Sequence, residues 1–154
     1  MFKSFKQFFD ELAPQAPENP QAGEQRLRLA VAVLLAEIMR DEDGITPEER
    51  QAVLAALRRQ FALDGPELEQ LLGLAQQTLG RANDFYQFTS VINERFSRDQ
   101  RIQVVEAMWR VAYADGHLGA LENSVISRVS DLLHLTHGEY IAAKVRVQQE
   151  NGAR

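Results

Sequence analysis

"VVEAMWRVAYADGHLGALE", residues 104–122, carries apolar side chains at Val104, Val105, Met108, Trp109 and Ala112, then runs into Asp115 and Gly116 and restarts at Glu122. The apolar spacing is that of one helical face, and the acid–glycine pair marks its end. A second stretch, "VAVLLAEIMRDEDGITPEE" at residues 31–49, repeats the plan. Aligning Ile45 with Leu118 matches Val31 with Val104, Leu35 with Met108, Ile38 with Val111, Glu42 with Asp115 and Glu49 with Glu122. With a one-residue shift the register continues through Leu63 and Leu135, Asp64 and Thr136, and Glu67 and Glu139. An internal repeat outranks any single motif. Each copy reads as a long buried helix, an acidic turn, a second helix and a capped third.

Working outward, residues 24–41 place Leu27, Val31, Leu34, Leu35 and Ile38 on one face, with Arg26, Arg28, Glu37 and Arg40 elsewhere. "TPEER" then supplies Thr46 as N-cap, Pro47 in the first turn and Glu49 three residues after the cap, a capping-box signature. The same spacing recurs at Asp64 and Glu67, Ser97 and Gln100, and Thr136 and Glu139. Between the copies, "NDFYQFTSVINERF" (83–96) reads as a helix turned inward through Phe85, Phe88, Ile92 and Phe96. The last helix runs from "THGE" through Tyr140, Ile141 and Val145. No segment alternates with period two. The expected fold is all-α: a single-domain bundle of about seven to eight helices built from two three-helix repeats about a pseudo-twofold axis.

Ahead of this domain (24–150) lie two further pieces. Residues 1–13, "MFKSFKQFFDELA", read as an amphipathic helix with Phe2, Phe5, Phe8 and Phe9 as a face for the protein's own core, for a protein partner or for a membrane surface. Residues 14–23, "PQAPENPQAG", read as a proline-rich connector.

Composition narrows the function classes. Of 154 residues, 45% are apolar and 25% charged, ordinary values for a soluble globular chain. The absence of cysteine removes disulfides, thiolate metal sites and cysteine nucleophiles. A net charge of -5, without a basic stripe, argues against nucleic acid. The first residues are too polar, and too acidic at Asp10 and Glu11, for a signal peptide or a membrane span, so a cytoplasmic protein is expected, with the Phe face as a candidate membrane-peripheral surface.

The acidic turns are the one place where chemistry is indicated. Asp115, at the negative end of its helix dipole, is unfavourable by a few tenths to about 1 kcal/mol unless a partner compensates. Backbone amides of the next helix or a shared cation would serve. Short acidic turns offer the oxygen ligands that calcium and magnesium prefer, which makes Asp115, Glu122, Glu42, Asp43 and Glu49 the candidate metal ligands. Glu49 and Glu122 are equally well placed as capping carboxylates, and neither turn has the spacing of an EF-hand loop. His134 suits a helix C-terminus, and His117 lies beside the second turn. Ser124 has no base nearby in sequence and no phosphate-binding loop is present, so a non-enzymatic role is expected.

Three stretches carry a family resemblance: "VVEAMWRVAYADGHLGALENSVISRVSDLLHLTHGEYIAAK" (104–144), "LLAEIMRDEDGITPEERQAVLAALRRQF" (34–61) and "DFYQFTSVINERFS" (84–97). Together they resemble the TerB-like family, named for a tellurite-resistance protein, over residues 24–148. The resemblance implies a bacterial, all-helical domain with pseudo-twofold repeats, linked to tellurite and other stress responses. It also implies metal binding through the acidic turns. Carried over, the family's acidic positions fall on Asp115 and Glu122 in the second copy. In the first they fall on Glu42 and Glu49, with Asp43 preceding a shifted Gly44.

Overall fold

The computed structural model describes residues 20–39, 46–78, 85–114 and 120–152. They form seven helices and no strand: α1 (Pro20–Met39), α2 (Pro47–Gln60), α3 (Gly65–Thr78), α4 (Tyr86–Arg95), α5 (Arg98–Ala112), α6 (Ala120–Leu132) and α7 (His137–Gly152). The all-α bundle expected from the sequence is the architecture found. Residues 1–13, read as the amphipathic helix, lie outside the described residues, as do 14–19 of the connector. Residues 20–23, read with the connector, form the first turn of α1, where proline costs no hydrogen bond.

All four capping signatures close as reciprocal pairs. The Thr46 hydroxyl accepts from the Glu49 N–H at 3.1 Å while the Glu49 carboxylate accepts from the Thr46 N–H at 3.1 Å. Asp64 and Glu67 do the same at 2.8 and 3.0 Å, and Thr136 and Glu139 at 3.1 and 2.8 Å. Ser97 and Gln100 complete the set at 3.2 and 2.8 Å. Each box satisfies two otherwise orphaned donors and stabilises its helix by about 1 kcal/mol. α6 ends differently. The His134 N–H donates to the Asp131 carbonyl and the Leu135 N–H reaches back to Ser130, a Schellman motif whose left-handed position holds His134 at φ 62°. Glycine is the usual occupant there, so His134 is strained, and it is exposed.

The sequence reading of α1 needs a correction. Its apolar residues are not confined to one face: every residue from Leu29 to Ala36 is at most 1% exposed. The helix packs on α2, α3, α4, α5 and α6 and is the axis of the core. A helix apolar all round belongs inside, and "LAVAVLLA" contains no polar side chain with which to face water. α7 is rotated relative to its most hydrophobic positions. Tyr140, Ala143 and Val147 point inward, whereas Ile141 and Val145 are exposed.

The helix pairings recur along the chain. α1 packs on α2 and α3 as α5 packs on α6 and α7, the second helix of each set contacts the third, and α1 crosses α5. α4 lies on α1 and α6. From its last turn the Arg95 side chain reaches over the first turn of α1, its guanidinium 2.5 Å from where a Cβ on Gly23 would stand.

Candidate cation site at the acidic turns

Glu49 is the one proposed ligand whose side chain is described, and its position is informative. It is the third residue of α2 and only 4% exposed, one of few buried polar residues in the bundle. Its Oε1 accepts from both the Thr46 N–H and the Thr46 hydroxyl, each at 3.1 Å. Among the described residues no lysine or arginine neutralises it. The dipole of α2 and the Thr46 donors offset part of the cost of burying the carboxylate. The chain reaches Thr46 directly from residues 40–45, so Glu49 stands at the foot of the first acidic turn. Glu42, Asp43 and Asp115 lie outside the described residues. Glu122 falls in the first turn of α6, and its backbone alone is described.

The second turn leaves from an aromatic platform that the sequence reading only partly anticipated. Trp109, fully buried, stacks on Tyr113 with ring centroids 6.0 Å apart and lies 5.4 Å from Tyr140. The Lys144 ammonium sits 5.2 Å from the indole centroid, a cation–π distance. The Tyr140 hydroxyl donates to Asn123 at 3.0 Å, and burial raises its phenol above the ordinary value. Among the described residues the buried indole N–H of Trp109 finds no acceptor. Tyr113 and Lys144 were legible only as residues one turn from an already buried tryptophan (109 to 113) or tyrosine (140 to 144).

Of the three histidines, His117 lies outside the described residues. His134 is held at the end of α6, and the exposed His137 opens α7 with its ring 5.8 Å from Tyr140. Among the described residues no three metal-ligating side chains converge. Acids and bases elsewhere are used between helices. α5 and α7 are laced by Arg98–Glu139, Arg146–Glu106 and Arg110–Glu150, with closest contacts of 2.5, 2.5 and 2.9 Å. Partner numbers rise together, so the two helices run parallel. Arg98 and the Thr136 amide together hold the Glu139 carboxyl down from the ordinary 4.5 to about 2.

A family model described as tellurite resistance protein TerB matches residues 28–145, most of the chain. The chain belongs to the TerB family. The match begins in α1 and ends in α7, so the TerB-family region takes in both acidic turns and α4 between them. No curated protein and no solved structure matches the chain. Among the described residues no helix of this TerB-family domain is long and apolar enough to cross a membrane.

Proposed function

We propose that this TerB-family domain is a non-enzymatic module of bacterial stress or tellurite-resistance physiology that binds a divalent cation, calcium or magnesium, at its acidic inter-helix turns. In this reading the domain is two copies of one three-helix unit about a pseudo-twofold axis, which relates the turns to each other. Glu49 with Glu42 and Asp43 supplies the first site, and Asp115 with Glu122 the second.

The observation that supports it is the buried Glu49 carboxylate. One oxygen serves the cap, and no cationic side chain among the described residues balances the charge. A carboxylate in so dry a place is costly unless something positive approaches. Carboxylates and turn carbonyls are the donor set that hard cations take, so the residues present fit the group. Bound there, the cation would supply charge neutralisation and a tie between consecutive helices.

The test is a calcium and magnesium titration followed by amide NMR and by melting temperature. At ten times the dissociation constant, a cation that binds only the folded state adds about 1.4 kcal/mol. That corresponds to a rise of about 3–6 °C for a domain of this size. Amides at 41–46, 48–49 and 113–122 should move, Trp109 fluorescence should report the second turn, and Glu49→Gln together with Asp115→Asn should abolish the thermal shift. Absence of any response at millimolar cation sinks the proposal.

A further inference from the structure

The helix pairings leave one place without its counterpart. α1 packs on α2, α3, α5, α6 and α4, whereas α5 packs on α6, α7, α1 and α2. Exchanging the halves, α1 with α5, α2 with α6 and α3 with α7, converts the first set of neighbours into the second except for α4. Since α4 lies on α1 and α6, the exchange sends its place to the groove between α5 and α2. A cleft of about 450 Å³ opens there, floored by Ala52, Ala55, Ala56 and Ala107, with Arg59 and Glu106 among the charged residues along it. Such a floor lets another helix approach to the short end of the usual 8–10 Å interaxial range.

The chain carries a segment of the matching pattern. α4 with its N-cap Phe85 presents Phe85, Phe88 and Ile92, with Phe88 and Ile92 fully buried. Residues 1–13 have the same spacing in Phe2, Phe5 and Phe9. Each segment comes just before the helix that opens a half: α4 before α5, residues 1–13 before α1. Reach is sufficient. α1 begins five residues before the position that matches the first residue of α5, about 7.5 Å of helix. The intervening residues 14–19 can span about 20 Å. The segment also brings Asp10 and Glu11 toward its end to a cleft whose charged lining is Arg59, Arg110 and Glu106, the last two already paired with Glu150 and Arg146 on α7.

We infer that residues 1–13 dock as a helix in the α2–α5 cleft, in the place that repeats α4, so that the domain closes on itself with its Phe face covered. This rests on the two-copy reading and is independent of cation binding. Superposing residues 24–78 on 98–150 in an experimental structure tests the two-copy reading by itself.

The chain has no cysteine, which makes cross-linking clean. In the full chain, Gln7→Cys is paired with Gln103→Cys at the cleft, or with Gln70→Cys beside the separate groove between α1 and α3, and each is treated with a short bis-maleimide. The expected result is a cross-linked monomer for the Gln103 pair, with a yield that dilution does not reduce, and little for the Gln70 pair. Adding Phe5→Asp to the first pair should cut the yield several-fold while the far-UV CD spectrum is retained. Dimer bands that fade on dilution would mean that the cleft receives a second copy. Cross-linking through Gln70, no cross-linking at all, or full yield with Phe5→Asp would each overturn the assignment.

Discussion

α1 and α5 match in the alignment of the two halves of the sequence, yet they meet their surroundings differently. From Leu29 to Ala36, α1 is closed on every side. The matching stretch of α5, residues 102–109, keeps Gln103 exposed and Ile102 and Glu106 half-buried, beside a fully buried Val104, Val105, Met108 and Trp109. Val33 and Glu106 share one register position. One is packed at 1% exposure and the other is paired with Arg146. Aligned sequence positions therefore reach two solutions: an apolar axis wrapped by five helices, and an amphipathic helix whose outer edge is tied to α7 by ions.

Exchanging that pair is the strongest way to break the contrast. Val33→Glu puts a carboxylate where no described cation can reach it, and should cost about 3–5 kcal/mol, enough to remove the cooperative urea transition. Glu106→Val leaves a largely exposed Arg146 unpaired and should cost less than about 1 kcal/mol. If Val33→Glu melts like the parent, α1 is not the closed axis described here.

Much of this was readable in the sequence because it is local. Each capping box is a four-residue event, and all four closed where Thr46, Asp64, Ser97 and Thr136 announce them. The inward faces of α2, α3 and α4 follow from residues three and four apart. What escaped depends on how helices are placed against one another. The one-face reading of α1 rested on the flanking Arg26, Arg28 and Glu37 and overlooked the unbroken apolar run between them. In α7, Ile141 and Val145 outrank Ala143 in hydrophobicity, but the phase is set by Tyr140 against Trp109, which turns 143 and 147 inward. The α5–α7 ion pairs join residues some 40 apart and leave no periodic trace. Of the site, Glu49 was legible as both cap and candidate ligand. Its burial was not, because burial depends on how the elements pack and not on the spacing of residues along α2.

The caps sharpen the contrast on a smaller scale. Thr46 encloses a buried Glu49, whereas the Thr136 box lies at the surface. Thr46→Ala should therefore cost about 1–2 kcal/mol and Thr136→Ala about 0.5–1 kcal/mol, read from denaturant midpoints. Equal costs would show that the burial of Glu49 adds nothing to its cap. The end of α6 offers the opposite sign. His134→Gly relieves a left-handed histidine and should stabilise by about 0.5–1 kcal/mol after the added flexibility of the unfolded chain is counted. A loss of stability would mean that the imidazole makes contacts that outweigh its strain.

The smallest expected effect separates the two third-helix caps by their partners. Glu67 and Glu139 make the same box, but the position matching Arg98 is Gln25, so Glu139 alone carries a guanidinium. Its folded carboxyl lies near 2 against an ordinary 4.5. A group depressed in this way contributes stability that is complete above its unfolded value and is lost as pH falls through the folded one, here between about 4.5 and about 2. The pair is exposed, so salt should weaken it. A carboxyl-carbon NMR titration should find Glu139 depressed and should find it higher in Arg98→Gln, which gives the second half the first half's residue. An unchanged titration in that variant would leave the cap amides as the whole cause and remove this difference between the halves.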